Sequence, residues 1–232
     1  MNNPFDFFDK IYCINLAERT DRWEECLKNF EKYDIKNYER IDGIKINGDL
    51  PQKRKGQIGC SLAFLSCFLK AKNDQHNKVL VLEDDFEFIF EKNELFNKLE
   101  KCLNELPDDW DSIFLGANLT AEHSLYPIKK FSQNLFELKS AHCLHCAGFS
   151  RAGISKIFDF LGEEEDPNVH LLMNYENMDV FMAKIYQSST KSFITNELLC
   201  DQKPSLSNIE GVAYDYNEWM HKNFKFFKNN LI

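Results

Sequence analysis

The sequence predicts an α/β fold with a mostly parallel central sheet, on three observations. Short apolar runs alternate with longer helical patterns along most of the 232 residues, the order expected of strands joined by crossover helices. The run 78–82 (KVLVL) is apolar after its first residue, as in an interior strand covered on both faces. The runs at 38–41, 78–82 and 112–115 end in Asp42-Gly43, Glu83-Asp84-Asp85 and Gly116-Ala117-Asn118. Open α/β sheets bind their ligands beyond such carboxyl ends.

The elements follow in order. Residues 10–16 (KIYCINL) read as a buried strand. Residues 24–33 have helical periodicity, with Cys26, Leu27 and Phe30 on one face. Residues 38–41 form a short strand that stops at the Asp42-Gly43 turn signal. A loop at 47–55 leads into a helix at 58–71 with Leu62, Leu65 and Leu69 along its stripe. After the strand at 78–82, a helix spans 94–106 and a strand 112–115. Residues 142–149 read as a strand, Arg151–Leu161 as a helix and 179–186 as another helix. There is no internal repeat, so one domain is expected.

Composition bounds the function. Hydrophobic residues make up 44% and charged residues 28%, as in an ordinary globular chain. The net charge of −9 argues against nucleic acid, whose phosphates call for a basic field. The eight cysteines lack the spacing of a compact disulfide framework, and a reducing cytoplasmic compartment fits them. The acidic start MNNPFDFFDK has no long apolar core, so no signal peptide is expected there. No apolar run reaches the 18 residues of a membrane span. Residues 219–232 (WMHKNFKFFKNNLI) mix aromatics with lysines. They suit either an amphipathic helix resting on the inner face of an anionic membrane or a helix packed back on the domain.

The acidic triplet carries the chemistry. Along a strand, Glu83 and Asp85 face one way and Asp84 the other. Their carboxylates would lie roughly 6–7 Å apart, given about 3.3 Å of rise per residue. At an effective dielectric of about 20 that repulsion is about 2–3 kcal/mol, which a hard divalent cation would relieve. The other reading is a solvated turn capping the next helix. Arg19 and Arg22 follow the first strand and share one side of a helical turn. They suit phosphates or a base edge, or surface ion pairs with their acidic neighbours, while Asp21 could cap the helix. Cys143 and Cys146 in HCLHC have zinc-like spacing but no second ligand pair. Buried thiols and one functional histidine fit that segment better. Asp179 opens an apolar helix, where an acid serves as a cap or as a presented base.

Taken together these blocks resemble glycosyltransferase family 25. They are Ile14-Asn15-Leu16, Arg19-x-Asp21-Arg22-Trp23, Arg40-Ile41-Asp42-Gly43, Gly56-Gln57-Ile58-Gly59-Cys60, Val81-Leu82-Glu83-Asp84-Asp85 and Trp110-Asp111-Ser112-Ile113-Phe114-Leu115-Gly116. Then come His145 before Ser150-Arg151-x-Gly153, Asp179, and Gln202 before Ser207-Asn208-Ile209. The resemblance implies a GT-A-type, Rossmann-like fold with a donor half at about 1–120 and an acceptor half at about 121–232. It also implies a UDP-sugar donor, typically UDP-galactose, a Mn²⁺ or Mg²⁺ ion, inversion at the anomeric carbon, and a glycan or other hydroxyl acceptor, lipid-linked ones included. In that frame Asp85 binds the metal and Glu83 faces the ribose or the metal's water shell. Asn15, Leu16, Arg19, Arg22, Asp42 and Asp84 line the nucleotide pocket, His145 and Gln202 lie on the acceptor side, and Asp179 is the base. Residues 47–55 or 163–174 are candidates to close over the donor. Gln57, Ala63 and Phe64 depart from the family's common pattern, and bear on acceptor identity and activity. The alternative is a catalytically inactive member acting as a binding module. A phosphohydrolase would call for more histidine or aspartate ligands, and a nucleotidyltransferase for a glycine-rich loop after the first strand.

Overall fold

The computed structural model describes residues 3–162, 171–172, 174–206 and 213–231. Its centre is a sheet of eight strands: β1 (Lys10–Asn15), β2 (Tyr38–Asp42), β3 (Lys78–Glu83), β5 (Ser112–Leu119), β6 (Ile128–Lys130), β7 (Leu135–Leu138), β8 (Ala141–Ser150) and β9 (Ser192–Thr195). They lie in the order β2-β1-β3-β8-β5-β9-β7-β6. β1 is parallel to β2 and β3, and β5 to β9. β8 is antiparallel to both β3 and β5, and β7 to β6 and β9. Strands β2, β1, β3, β5, β9 and β6 therefore share one direction, while β8 and β7 oppose it. The α/β class and the predominant strand direction are as predicted, with one qualification: the central β8 runs backwards. The β6–β7 excursion starts and ends near the carboxyl end of β5, so the returning chain enters the sheet from that end. Local periodicity carries no information on strand direction.

Strand alternation divides the core. Ile11, Cys13, Leu80 and Leu82 face one cluster with Cys26, Phe30, Leu95 and Leu99. Those last four belong to α1 (Thr20–Lys32) and α3 (Lys92–Asn104). Tyr12, Ile14, Val79 and Val81 face the other cluster, with Phe64, Phe68, Ile154 and Ile157 of α2 (Gln52–Asn73) and α4 (Arg151–Leu161). A sheet with helices on both faces results. The last helix, α6 (Asn217–Asn229), buries Met220 and Phe224. Asn223 also donates to Asn118 Oδ1 at 3.0 Å. The helix thus packs back on the domain, as one of the two sequence readings expects, and leaves Trp219 and Phe226 exposed. Among the described residues no helix is long and apolar enough to cross a membrane.

Three local expectations change. Helix α1 begins at Thr20, with Asp21 in its first turn and not at the cap, and Leu27 is exposed. Helix α2 begins at Gln52, six residues early, and absorbs the end of the expected 47–55 loop. It buries Ala63, Phe64, Leu65, Cys67 and Phe68, while Leu69 points outward. The large rings at 64 and 68 meet the sheet together with Leu65, and Leu69 is turned outward. The 163–174 stretch lies outside the described residues, apart from 171, 172 and 174.

The middle of α2 touches backbone. A methyl group at Gly59 would sit 2.0 Å from the Ile44 carbonyl oxygen. Alanine for glycine inside a helix ordinarily stabilises by up to about 1 kcal/mol. Here Gly59→Ala is expected to destabilise by about 1–3 kcal/mol and shift the 44–46 segment, as read by thermal denaturation. An unchanged or raised melting temperature would contradict the close approach.

Candidate functional site

A cleft of about 910 Å³ opens at the carboxyl ends of β1 and β3. Its floor is the acidic triplet. Glu83 ends β3, and Asp84 and Asp85 form a turn before β4 (Phe86–Phe88), which pairs with β10 (Cys200–Gln202) in a separate small sheet. The triplet therefore leaves the strand after its first member, contrary to the extended reading. All three acids nevertheless line the cleft, because the turn swings Asp84 around towards β1. There Asn15 Nδ2 donates to Asp84 Oδ2 at 2.6 Å, and Arg22 Nη1 to Asp84 Oδ1 at 2.5 Å and Asp85 Oδ2 at 3.3 Å.

A second wall brings in Asp179. It lies in α5 (Met178–Phe181), whose N-cap is Asn177, the side chain accepting from Val180 N–H at 2.9 Å. Asp179 is therefore not the cap, and its carboxylate is left for the cleft. Its Oδ2 accepts from Cys143 N–H at 3.3 Å. Cys143 has φ 70°, a left-handed conformation uncommon for a residue with a Cβ, beside register shifts between β8 and β5. Helix α2 holds this wall in place. Gln57 Nε2 donates to Glu176 Oε1 at 3.0 Å, Ser61 Oγ accepts from Met178 N–H at 2.9 Å, and Arg54 donates to the Glu176 carbonyl.

The electrostatics are those of crowded acids withdrawn from water. Burial, then Asp85 and Asp179, pushes Glu83 well above the usual carboxylate range. Burial raises Asp85 to about 6, with Arg22 and a Gln202 hydrogen bond opposing and Asp84 assisting. Burial also raises Asp179, while His142 and the Cys143 N–H oppose. Asp85 Oδ1 is buried with no hydrogen-bond partner among the described residues. A carboxylate oxygen left that way suits a hard cation.

The sequence-derived residues divide. Asn15 is a buried partner of Asp84, and Leu16, Arg19, Arg22, Glu83, Asp84, Asp85, Asp179 and Gln202 line the cleft. Arg22 is committed to the acidic turn, and Arg19 forks onto Asp21 with two contacts of 2.9 Å. Asp42 is exposed at the end of β2, outside the cleft lining. His145 is fully buried against the Cys200 carbonyl at 3.2 Å and is likewise outside it. Strand alternation puts His142 on the cleft instead. Gln202 lines the cleft on the side of Asp85, whose proton affinity it helps to lower. The sequence reading did not place His142, Cys143 or Asn177 at the site, and named Gln57 only as a departure from the family's common pattern. Only Asn177 left a local signal, an Asn immediately before an apolar helix. Cys143 and Cys146 join opposite faces of the sheet, so they form no pair.

A sequence model described as glycosyltransferase family 25 (LPS biosynthesis protein) matches residues 8–156. The chain belongs to glycosyltransferase family 25. Procollagen galactosyltransferase 2 of Mus musculus is 29% identical over 129 residues, covering 47% of this chain and 21% of that protein. Procollagen galactosyltransferase 1 of Danio rerio is 27% identical over 130 residues, covering 47% and 21%. The human protein named inactive glycosyltransferase 25 family member 3 is 27% identical over 132 residues, covering 47% and 22%. The matched segment thus spans about a fifth of these family 25 relatives. The family match at 8–156 includes the acidic turn, while Asp179 and Gln202 lie beyond it.

The raised Asp85 has a consequence for stability. Folded Asp85 holds its proton to about pH 6, against an ordinary value of 3.8. The folded state therefore binds more protons between these values, and this group's stability contribution falls as pH rises through that window. Asp85→Asn removes the loss. The variant is expected to melt about 2–6 °C above the parent at pH 7.5 in chelator, and within about 1 °C of it at pH 4. Equal melting temperatures at both pH values would show that the carboxylate is not under strain.

Proposed function

We propose that this family 25 protein is an inverting, UDP-sugar-dependent glycosyltransferase of GT-A type that transfers a hexose, galactose by family resemblance, to a glycan or other hydroxyl. The observation that carries this reading is the cluster of Glu83, Asp85 and Asp179 around one cleft, each raised from its ordinary proton affinity chiefly by burial. Such an arrangement is costly without a ligand that supplies positive charge.

Asp85, with its orphaned Oδ1, and Glu83 beside it would hold Mn²⁺ or Mg²⁺. When bound, that ion would neutralise the diphosphate leaving group. The residues of the chain do the rest. Asn15 and Arg22 fix Asp84 and thereby the turn. Leu16 and Arg19 line the donor end beside them. Asp179 accepts the proton of the acceptor hydroxyl as that oxygen attacks the anomeric carbon from the face opposite the diphosphate. A carboxylate made more basic by burial suits this task, and the Cys143 N–H and His142 keep it oriented and partly ionised. The donor half, about 1–120, supplies the acidic turn, and the acceptor half, about 121–232, supplies the base. A second reading, a binding module without turnover, is favoured by the likeness to a human relative named inactive. The complete acidic turn and the uncapped Asp179 support turnover.

Titration calorimetry with UDP-galactose and other UDP-sugars is expected to give binding that requires Mn²⁺ or Mg²⁺. Asp85→Asn should abolish the metal-dependent part while remaining folded. Equal affinity in EDTA would remove the metal from the reading, and failure of every UDP-sugar would favour the binding module.

Asp179→Asn tests the base. Donor affinity should stay within about twofold, and transfer should fall by about 10²–10⁴. Because Asn177 holds the cap, no capping loss of stability should accompany the change. Near-normal transfer would exclude Asp179.

A further inference from the structure

The loop after β5 folds back over the start of β8 and brings Glu122, His123 and His142 together. One ligand atom from each lies within 4.8 Å of the others. His142 Nε2 is 3.4 Å from Glu122 Oε2, and His123 Nε2 is 3.7 Å from Glu122 Oε1. Both imidazole nitrogens are buried and have no hydrogen-bond partner among the described residues. These separations are too long for strong hydrogen bonds. The His142–Glu122 separation is close to the gap of about 3.3–3.4 Å between two ligands of one tetrahedral ion with bonds of about 2.0–2.1 Å, and the His123–Glu122 separation is a few tenths of an ångström longer.

The geometry points to a second metal site at Glu122, His123 and His142, of the class that takes Zn²⁺ or a similar borderline transition ion. Two imidazoles and one carboxylate select such an ion over Mg²⁺. Three protein ligands leave one position open. Glu122 and His142 line the cleft that Asp179 also lines, and His123 does not, so an open position on the cleft side is accessible from it. There it would take a water or an oxygen of the acceptor, and it would pin the 120–127 loop to β8. The set shares no residue with the acidic turn, and the inference does not depend on the donor reading.

The test uses the full chain, stripped with chelator, loaded with Zn²⁺ and desalted, with metal content measured directly. A parallel sample carries Co²⁺, whose visible absorption reports four-coordinate nitrogen ligation. The expected result is one Zn²⁺ per chain and a visible Co²⁺ band in the parent. Both should be lost in His123→Gln and in His142→Gln, and both retained in Asp85→Asn, with folding checked by circular dichroism. Two histidine variants are used so that one misfolded protein does not decide the matter. No retained zinc in the parent would overturn the site. So would zinc retained in the folded histidine variants, for instance on the Cys60 and Cys143 thiols, or zinc lost with Asp85→Asn.

Discussion

The repulsion among carboxylates at the end of β3 is the constraint on which the rest of the site depends. Glu83, Asp84 and Asp85 are consecutive, and Asp179 is brought against them from the opposite wall. Burial in a low-dielectric cleft makes each additional charge more costly. Arg22 answers part of this by bridging Asp84 and Asp85. What it leaves is a cleft charged so as to favour a cation, and an Asp179 more basic than an exposed carboxylate. The first comes from crowded charge and burial together, the second from burial.

That crowding persists because the surrounding structure is rigid. Helix α2 enters with Arg54, Gln57 and Ser61, which hold the segment leading to Asp179 through its backbone and Glu176. The same helix approaches the 44–46 segment so closely at Gly59 that a methyl group does not fit. Under the floor, the stacked rings of Phe30, Tyr38 and Phe86 tie α1, which carries Arg22, to the strand that follows the acidic turn. Carboxylates on such supports cannot relax apart, so a ligand relieves them more readily than a backbone shift does. The left-handed Cys143 fits this picture, since strained residues persist where their surroundings over-determine them.

Much of the fold was legible. The strands at β1, β3 and β8 and helix α4 follow from runs and periodicity that depend on neighbouring residues. Helix α2 shows the limit: an apolar stripe was visible, yet Phe64 and Phe68 turn inward with Leu65 while Leu69 turns outward. The site was legible where chemistry is consecutive, as in Glu83-Asp84-Asp85. It was not legible in HCLHC, where strand alternation decides between two histidines. His145 lies under Cys200 while His142 meets the cleft, and the sequence does not say which face of β8 looks where.

The sequence by itself determined the α/β class, the acidic terminus of an interior strand, and the blocks that mark the family, because each is written in adjacent residues. The tertiary structure decided three further matters: the reversed direction of β8, the release of Asp179 from a capping role, and the commitment of Arg22 to carboxylates. Each depends on contacts between segments distant along the chain, such as Arg22 with Asp84 or Gln57 with Glu176. The physical reason is that a carboxylate's charge state and a histidine's facing are set by what packs against them, and local propensity carries no record of that partner.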